Sequence, residues 1–112
     1  MKNSGAAAEQ QAAAYLQQNG LLLLESNFRC RFGEVDLIMK DGAVLVFVEV
    51  RLRGNNAFGG AAASITAAKQ GKIIKAAQFY LQALHTQPPC RFDAVLLDGN
   101  GRVEWIKHAF EA

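Results

Sequence analysis

The sequence contains little cysteine and no apolar run long enough to cross a membrane. Its two cysteines, Cys30 and Cys90, form neither a CxxC pair nor any other metal-binding spacing, so a disulfide framework and a cysteine-ligated zinc site are not expected. The apolar stretch at 21–24 is too short to span a bilayer. The first residues are followed by an alanine- and glutamine-rich stretch and not by the apolar core of a signal peptide. These absences predict a cytoplasmic protein with free thiols and no membrane segment.

The sequence also lacks the short motifs of several large enzyme classes. It has no GxxxxGKS, GxSxG or HExxH segment, so nucleotide hydrolysis, acyl transfer and zinc proteolysis have no support. The two histidines, His85 and His108, have no spacing suited to a metal site or a catalytic triad. The formal net charge is only +2, so composition alone does not indicate a nucleic-acid-binding protein.

What is present is the composition of one globular domain. Hydrophobic residues make up 51% and charged residues 20% of the 112 positions, which is enough to bury a core without disulfides or metals. We expect a single domain over residues 1–112, with residues 1–5 as a loose N-terminal tail.

Turn signals and hydrophobic periodicity predict the element order α-β-β-β-α-β-β. Asp41-Gly42 is a hairpin signal, Pro88-Pro89 follows the second helix, and Ser64 is suited to cap the start of that helix. The predicted elements are a helix over 6–18, one or two extended pieces over 21–24 and 28–32, strands over 35–39 and 43–52, a loop over 54–64, a helix over 65–85, and strands over 91–97 and 102–107. This order implies an α/β fold with a mixed sheet flanked by helices. The strand at 43–52 is apolar on both sides and is expected at the centre of the sheet.

Three carboxylates lie in some of the most apolar sequence of the chain, on either side of the predicted Asp-Gly turn. They are Glu34, Asp36 and Glu49. If the Asp-Gly pair is a two-residue loop, opposing residue numbers add up to 83, so Asp36 faces Phe47. Alternation then places the three acids and Arg51 on one face of the hairpin. Asp36 and Glu49 become diagonal neighbours, roughly 7–8 Å apart.

Like charges that meet on a sheet are unfavourable, and burial increases the cost. A divalent cation between Asp36 and Glu49 would relieve the repulsion, and carboxylate oxygens favour Mg²⁺ or Mn²⁺ over Zn²⁺. Since substrate phosphate commonly completes the coordination shell of magnesium, the expected substrate class is a phosphodiester. Glu9 shares a helical stripe with Leu16, which would turn it toward the same sheet. The alternative is that the acids are structural, with Glu34 at an exposed strand end and Asp36 as a cap or ion-pair partner.

Arginines and lysines surround the acidic segment. Arg29, Arg31 and Arg53 flank it, and Lys72 belongs to a row of lysines in the predicted second helix. These cations could contact backbone phosphates and bind nucleic acid without sequence specificity, or they could neutralise the acids. Phe58 in the glycine-rich loop leaves a similar choice, between stacking on an unpaired base and packing on the core.

The spacing of the acids resembles a known nuclease signature. Asp36, a twelve-residue gap and then Glu49-Val50-Arg51 resemble the D…(D/E)-x-K pattern of the PD-(D/E)XK nuclease superfamily. Over about residues 6–108 the chain resembles more closely the YraN family of small bacterial proteins, whose core is similar to that of archaeal Holliday junction resolvases. The segments that carry this resemblance are GEVDLI at 33–38, LVFVEVRLR at 45–53, Lys69 and RFDAVLL at 91–97.

The resemblance implies a restriction-endonuclease-like fold and a set of site residues. Asp36 and Glu49 would hold Mg²⁺ or Mn²⁺ together with the backbone carbonyl of Val50. Glu9 matches an acid that resolvase-like members contribute from their first helix. In such nucleases the ion activates a water and stabilises charge on the scissile phosphate.

Arg51 occupies the position at which the signature has lysine. An arginine stays protonated and cannot act as a general base, although its planar fork can clamp a phosphate. Lys69 could take the lysine role from the next helix, or it could be a snorkelling side chain at a helix start. Two functions therefore remain open. One is a metal-dependent nuclease that hydrolyses DNA phosphodiesters, with branched or damaged DNA as a candidate substrate. The other is a non-catalytic nucleic-acid-binding or adaptor module of the same fold, and in either case a homodimer is a further possibility.

Overall fold

The computed structural model describes residues 3–52 and 65–112, which form a five-stranded sheet with two helices packed on it. The elements are α1 (Asn3–Gln18), β1 (Leu22–Cys30), β2 (Gly33–Asp41), β3 (Val44–Leu52), α2 (Ala67–Gln82), β4 (Cys90–Leu97) and β5 (Val103–Phe110). The strands lie in the order β1-β2-β3-β4-β5, with β3 parallel to β4 and the other neighbours antiparallel. The predicted α/β class, mixed sheet and order α-β-β-β-α-β-β are confirmed.

The helices divide the core into two clusters, one on each face of the sheet. In β3, Val46 and Val48 pack in the cluster that contains α1, whereas Leu45 and Phe47 pack in the cluster that contains α2. Burial on both faces explains why this strand reads as a continuous apolar run. The predicted central position of this strand is confirmed.

The second helix is shorter than predicted. It begins at Ala67, where the Thr66 side chain caps it by accepting a hydrogen bond from the backbone N–H of Lys69 at 3.1 Å. The predicted cap, Ser64, lies outside the described residues. The helix ends at Gln82, three residues before the predicted end. Neither α1 nor α2 is long and apolar enough to cross a membrane.

The two N-terminal elements differ from their predicted bounds. Helix α1 begins at Asn3, so the part of the expected loose tail that the structure describes is helical. Strand β1 is one continuous strand, so of the two alternatives for this stretch the single extended piece is confirmed. It accommodates the polar residues in its middle through a register shift between Leu23 and Glu25 and a positive φ of 54° at Asn27. Such irregularities let a strand continue past residues that do not fit its alternation.

The β2–β3 turn differs by one residue from the prediction. Ile38 pairs with Phe47, so Gly42-Ala43 forms the loop and opposing residue numbers add up to 85. Gly42 occupies the first loop position with a φ of +62°, a conformation that tight hairpins require and that glycine adopts without strain. The predicted pairing of Asp36 with Phe47 is therefore wrong. Because the sum changes by an even number, the residues that do pair, 37–41 with 44–48, still share the face that was predicted for them.

Candidate functional site

Strands β2 and β3 separate before either of them ends. Their last pair at this end is Leu37 with Val48. Beyond it, β2 stays paired with β1 as far as Gly33, and β3 stays paired with β4 as far as Leu52. The sheet therefore splits between β2 and β3, and Asp36 lies at the point where the split begins.

Asp36 links the two strands where their backbone ladder stops. Its Oδ2 accepts a hydrogen bond from the backbone N–H of Val50 at 2.8 Å. Alternation also breaks here, because Val35 packs in the α2-side cluster and Leu37 in the α1-side cluster. The β1–β2 register places Asn27, with its positive φ, opposite Asp36. A carboxylate thus replaces a backbone group in holding β3 to β2, so simple alternation does not place Asp36.

A cleft of about 480 Å³ opens at this split. The residues of interest that line it are Glu9, Arg29, Glu34, Asp36, Glu49, Val50, Arg51 and Lys69. The structure therefore brings together the five residues predicted as catalytic and the three predicted as metal ligands. Among the described residues, four carboxylates meet three cations here.

Glu49 is the buried acid of the cleft, with 4% of its surface exposed. Burial and then the nearby charge of Asp36 raise the pKa of Glu49 to about 7, against the opposing effects of Lys69 and Arg51. The Glu49 Oε2 atom lies 3.5 Å from Lys69 Nζ and 3.1 Å from Arg51 Nε. Two cations therefore offset only part of the cost of burying this carboxylate beside another.

Arg51 contacts Glu49 without forming a hydrogen bond through its Nε. This nitrogen is buried and has no hydrogen-bond partner among the described residues, although the Glu49 oxygen lies at 3.1 Å. The N–H is therefore poorly aligned with that oxygen, and charge attraction is what links the two groups. A buried N–H without a partner is costly.

Glu9 reaches the cleft from α1. Ala12 and Leu16 are fully buried on the sheet-facing side of this helix, which leaves Glu9 half-buried beside the split. Burial and then the charge of Asp36 raise the pKa of Glu9 above its ordinary value. The carboxylate of Asp36 thus raises the pKa of an acid on α1 and of an acid on β3.

The cations predicted to bind nucleic acid are distributed over several places. Arg29 lines the cleft, and its Nε lies 3.2 Å from Glu34 Oε1 in an exposed ion pair. Lys72 lines an adjacent hollow together with Arg29. Arg31 lies outside both and stands over the ring of Phe32. Two further residues considered in the sequence lie outside the described ranges: Arg53 and Phe58.

Comparison with known proteins assigns the chain to a family. The family model of the uncharacterised protein family UPF0102 matches residues 8–97, a range that contains every predicted site residue. The chain belongs to the UPF0102 family. The resemblance to the YraN family is thereby confirmed.

Relatives in the UPF0102 family are similar to the chain over nearly its full length. A UPF0102 protein from Nitrosomonas eutropha is 61% identical over 110 residues, which cover 98% of this chain and 95% of the relative. One from Nitrosomonas europaea is 59% identical over 111 residues, covering 97% and 94%. One from Janthinobacterium sp. (strain Marseille) is 58% identical over 109 residues, covering 97% and 88%.

A second buried carboxylate of this UPF0102 protein was not singled out from the sequence. Asp93 in β4 has no exposed surface and accepts hydrogen bonds from Arg91 Nε and Trp105 Nε1, both at 2.9 Å. The backbone N–H of His108 donates to it at 3.1 Å. Arg91 Nη2 lies 2.9 Å from Asp93 and 3.1 Å from Asp41. An acid on an otherwise apolar strand, two positions after an arginine, was the signal available in the sequence.

Proposed function

We propose that this UPF0102 protein is a nuclease that uses Mg²⁺ or Mn²⁺ to hydrolyse phosphodiester bonds in DNA. The observation that carries the proposal is the meeting of Asp36 and Glu49 in one cleft, where burial and the charge of Asp36 raise the pKa of Glu49 to about 7. A divalent cation would stabilise both ionised carboxylates in this position. The D…(D/E)-x-K spacing of the same residues supports phosphodiester chemistry.

The donors that the cleft offers suit a hard cation. In residues 3–52 and 65–112, no three acidic, histidine or cysteine side chains are arranged to hold a metal together. The proposed protein ligands are therefore two carboxylates, Asp36 and Glu49, and the backbone carbonyl of Val50. So small a set of oxygen ligands fits Mg²⁺, which keeps several waters. When bound, the ion would activate a water and stabilise the charge that develops on the phosphate.

Lys69 and Arg51 together can perform the role of the lysine in the D…(D/E)-x-K signature. The Lys69 Nζ lies 3.5 Å from Glu49 Oε2, at the same carboxylate oxygen that Arg51 contacts. Because a lysine can release its proton, Lys69 can orient or deprotonate a water beside Glu49. Arg51 stays protonated, and its guanidinium, which lines the cleft, can donate to the substrate phosphate.

A second function is favoured by the same arginine. Because Arg51 cannot act as a general base, the cleft could bind an ion and a phosphate without hydrolysis. The protein would then be a non-catalytic nucleic-acid-binding or adaptor module. The presence of Glu9, Asp36 and Glu49 in one cleft favours the nuclease, since a pure binder would gain affinity by losing negative charge beside phosphate.

We expect the purified protein to cleave DNA in the presence of Mn²⁺ or Mg²⁺ and not in EDTA. The substrates to compare are duplex, single-stranded, flap and four-way-junction DNA. Asp36→Asn is expected to lower the cleavage rate about 100-fold or more, because it removes a charged metal ligand. The asparagine oxygen can still accept the hydrogen bond from Val50, so the variant should fold.

Asp41→Asn is the matched control for this experiment. Asp41 lies at the other end of β2 and outside the cleft, so its substitution should leave the rate unchanged. Cleavage that persists at the full rate in Asp36→Asn would indicate a contaminating nuclease. If no substrate is cleaved under any condition, the binding module becomes the better description.

The division of roles between the two cations predicts a rescue. Lys69→Gln is expected to lower the cleavage rate about 100-fold, the low end of what a positioned acid or base contributes. Adding Arg51→Lys to that variant should restore most of the loss, because it returns a lysine to the motif position. Lys40→Gln, which changes an exposed lysine outside the cleft, controls for the loss of charge. A double variant as slow as Lys69→Gln alone would contradict the proposed role of lysine.

A further inference from the structure

Beyond the cleft, cations and exposed aromatic rings form a strip along α2 and the β1–β2 turn. Lys69 and Arg29 line the cleft and also the neighbouring hollow that Lys72 borders. A third hollow follows, bordered by the next lysine of α2. Six residues of the two outer hollows form what we call the α2 strip: Arg29, Arg31, Phe32, Lys72, Lys75 and Phe79. Among the described residues, Glu34 is the acidic side chain that lines either outer hollow.

Two phenylalanines stand exposed in the α2 strip. Phe32 and Phe79 have 39% and 41% of their surfaces accessible. Their ring centroids lie 5.9 Å apart with the planes at 60°, and Arg31 Cζ lies 5.0 Å from the centroid of Phe32. Phe28 supports Phe79 with a centroid distance of 6.4 Å. Exposed rings held by ring contacts, with a guanidinium over one of them, form a platform on which a planar group can stack.

The platform is preformed because the β1–β2 turn packs closely on α2. A Cβ at Gly33 would lie 3.1 Å from the carbonyl oxygen of Lys72 and 3.2 Å from its Cβ. The φ of Gly33 is +154°, in a region that side chains with a Cβ rarely adopt. Glycine therefore allows the turn that carries Phe32 to rest against the helix that carries Phe79. A site that is already ordered loses less free energy when it binds a ligand.

We propose that the α2 strip binds an unpaired DNA strand that extends from the cleft, with bases stacked on Phe32 and Phe79. The proposal rests on the proposed function for the chemistry at the cleft, and it narrows the substrate to DNA with a single-stranded segment. The bases must be unpaired, because only an unstacked base offers its face to a protein ring. From Lys69 to Phe79 the helix rises about 15 Å, which matches roughly four nucleotides at the 3.4 Å spacing of a stacked strand.

The charges of the strip favour a nucleic acid over an apolar protein partner. In the part of the chain that the structure describes, no carboxylate forms an ion pair with Arg31, Lys72 or Lys75. An apolar partner that covered the two phenylalanines would have to bury these cations without compensation. A single strand offers phosphates to the cations and bases to the rings, so it matches both features of the surface.

Binding measured in EDTA tests the proposal without cleavage. The probe is a fluorescein-labelled dT12 oligonucleotide, followed by fluorescence anisotropy, with a labelled duplex of the same length for comparison. Phe79→Leu keeps an apolar contact with Phe28 but removes the aromatic face, and it is expected to weaken dT12 binding about 10-fold. Phe79→Tyr should bind dT12 as the natural protein does. The duplex affinity should be the same in all these proteins.

Two further variants separate stacking from other effects. Leu22→Ala removes an exposed apolar side chain at the other end of β1 and should leave dT12 binding unchanged. Lys75→Gln should reduce the slope of log affinity against log salt concentration by about 0.7, the contribution of one phosphate contact on a single strand. Thermal melts of each variant confirm that the fold is retained.

The outcomes separate this proposal from the proposed nuclease. Unchanged dT12 affinity in Phe79→Leu, or an equal loss for the duplex, would overturn the stacking platform. Much tighter binding of rU12 than of dT12 would contradict the assignment to DNA. If dT12 binding depends on Phe79 but no substrate is cleaved, the strand-binding strip is supported and the proposed nuclease is contradicted. If the protein cleaves duplex DNA but Phe79→Leu does not change dT12 binding, the proposed nuclease stands and the stacking platform is refuted.

Discussion

Asp93→Asn is expected to lower the free energy of unfolding by about 3–5 kcal/mol, the cost of breaking a buried charge pair. Asparagine has the shape of aspartate, so packing is kept. Its amide nitrogen cannot accept the N–H groups that Arg91 and Trp105 direct at the Asp93 carboxylate, so a buried donor faces another donor. Since a domain of this size is stable by about 5–15 kcal/mol, the substitution should remove a large fraction of the total stability.

Urea denaturation followed by circular dichroism measures this effect, and the chain provides a matched control. Asp41 contacts the same Arg91 side chain at 3.1 Å, but its own side chain is 35% exposed. Asp41→Asn should therefore cost less than about 1 kcal/mol. Equal losses in the two variants would show that the position of the carboxylate in the core is not what makes Asp93 important.

Glu49→Gln is expected to make the protein more stable at pH 8 and unable to bind Mn²⁺. The pKa of Glu49 is about 7 in the folded protein and 4.5 ordinarily, so between these values the folded state holds a proton that the unfolded chain has released. Stability must therefore fall as the pH rises through this window. The difference between the two pKa values corresponds to about 3 kcal/mol in the free energy of unfolding. We expect a gain of up to about 3 kcal/mol in the variant, because glutamine stays uncharged and the pKa of about 7 already includes the attraction of Lys69 and Arg51.

Denaturation at pH 5 and pH 8, together with calorimetric titration with Mn²⁺, measures both halves of this prediction. At pH 5 the natural protein and the variant should be similarly stable, because Glu49 is then protonated in the folded state. Mn²⁺ should stabilise the natural protein at pH 8 and leave the variant unchanged. Equal Mn²⁺ binding by both proteins would refute the metal site. A variant less stable at pH 8 would show that Glu49 is an ordinary ion-pair partner.

The features predicted correctly are those set by local sequence. The hairpin around Gly42 and the apolar β3 follow from turn chemistry and from alternation, which act over a few neighbouring residues. The turn lies one residue later than predicted, which changes the sum of opposing residue numbers by two. Because side chains alternate with a period of two, the paired residues still lie on their predicted face. The motif spacing of Asp36 and Glu49 then placed both acids in one cleft.

The features that were missed depend on contacts between distant parts of the chain. The direction of the Asp36 carboxylate is set at a break in alternation opposite Asn27, a residue of another strand. Asp93 becomes a structural acid only because β5 brings Trp105 to it. The contact between Phe32 and Phe79 joins a turn to a helix. No local pattern indicates such contacts, because they arise from packing between elements.

Both outer strands of the sheet are interrupted in a way that affects how copies of the protein can meet. Strand β1 has its register shift between Leu23 and Glu25 and its positive φ at Asn27. In β5, His108 has a φ of 54° and directs its N–H inward to Asp93. A broken row of backbone donors and acceptors is a poor template for another strand. The sheet can therefore display exposed leucines along β1 and still resist edge-to-edge growth into aggregates.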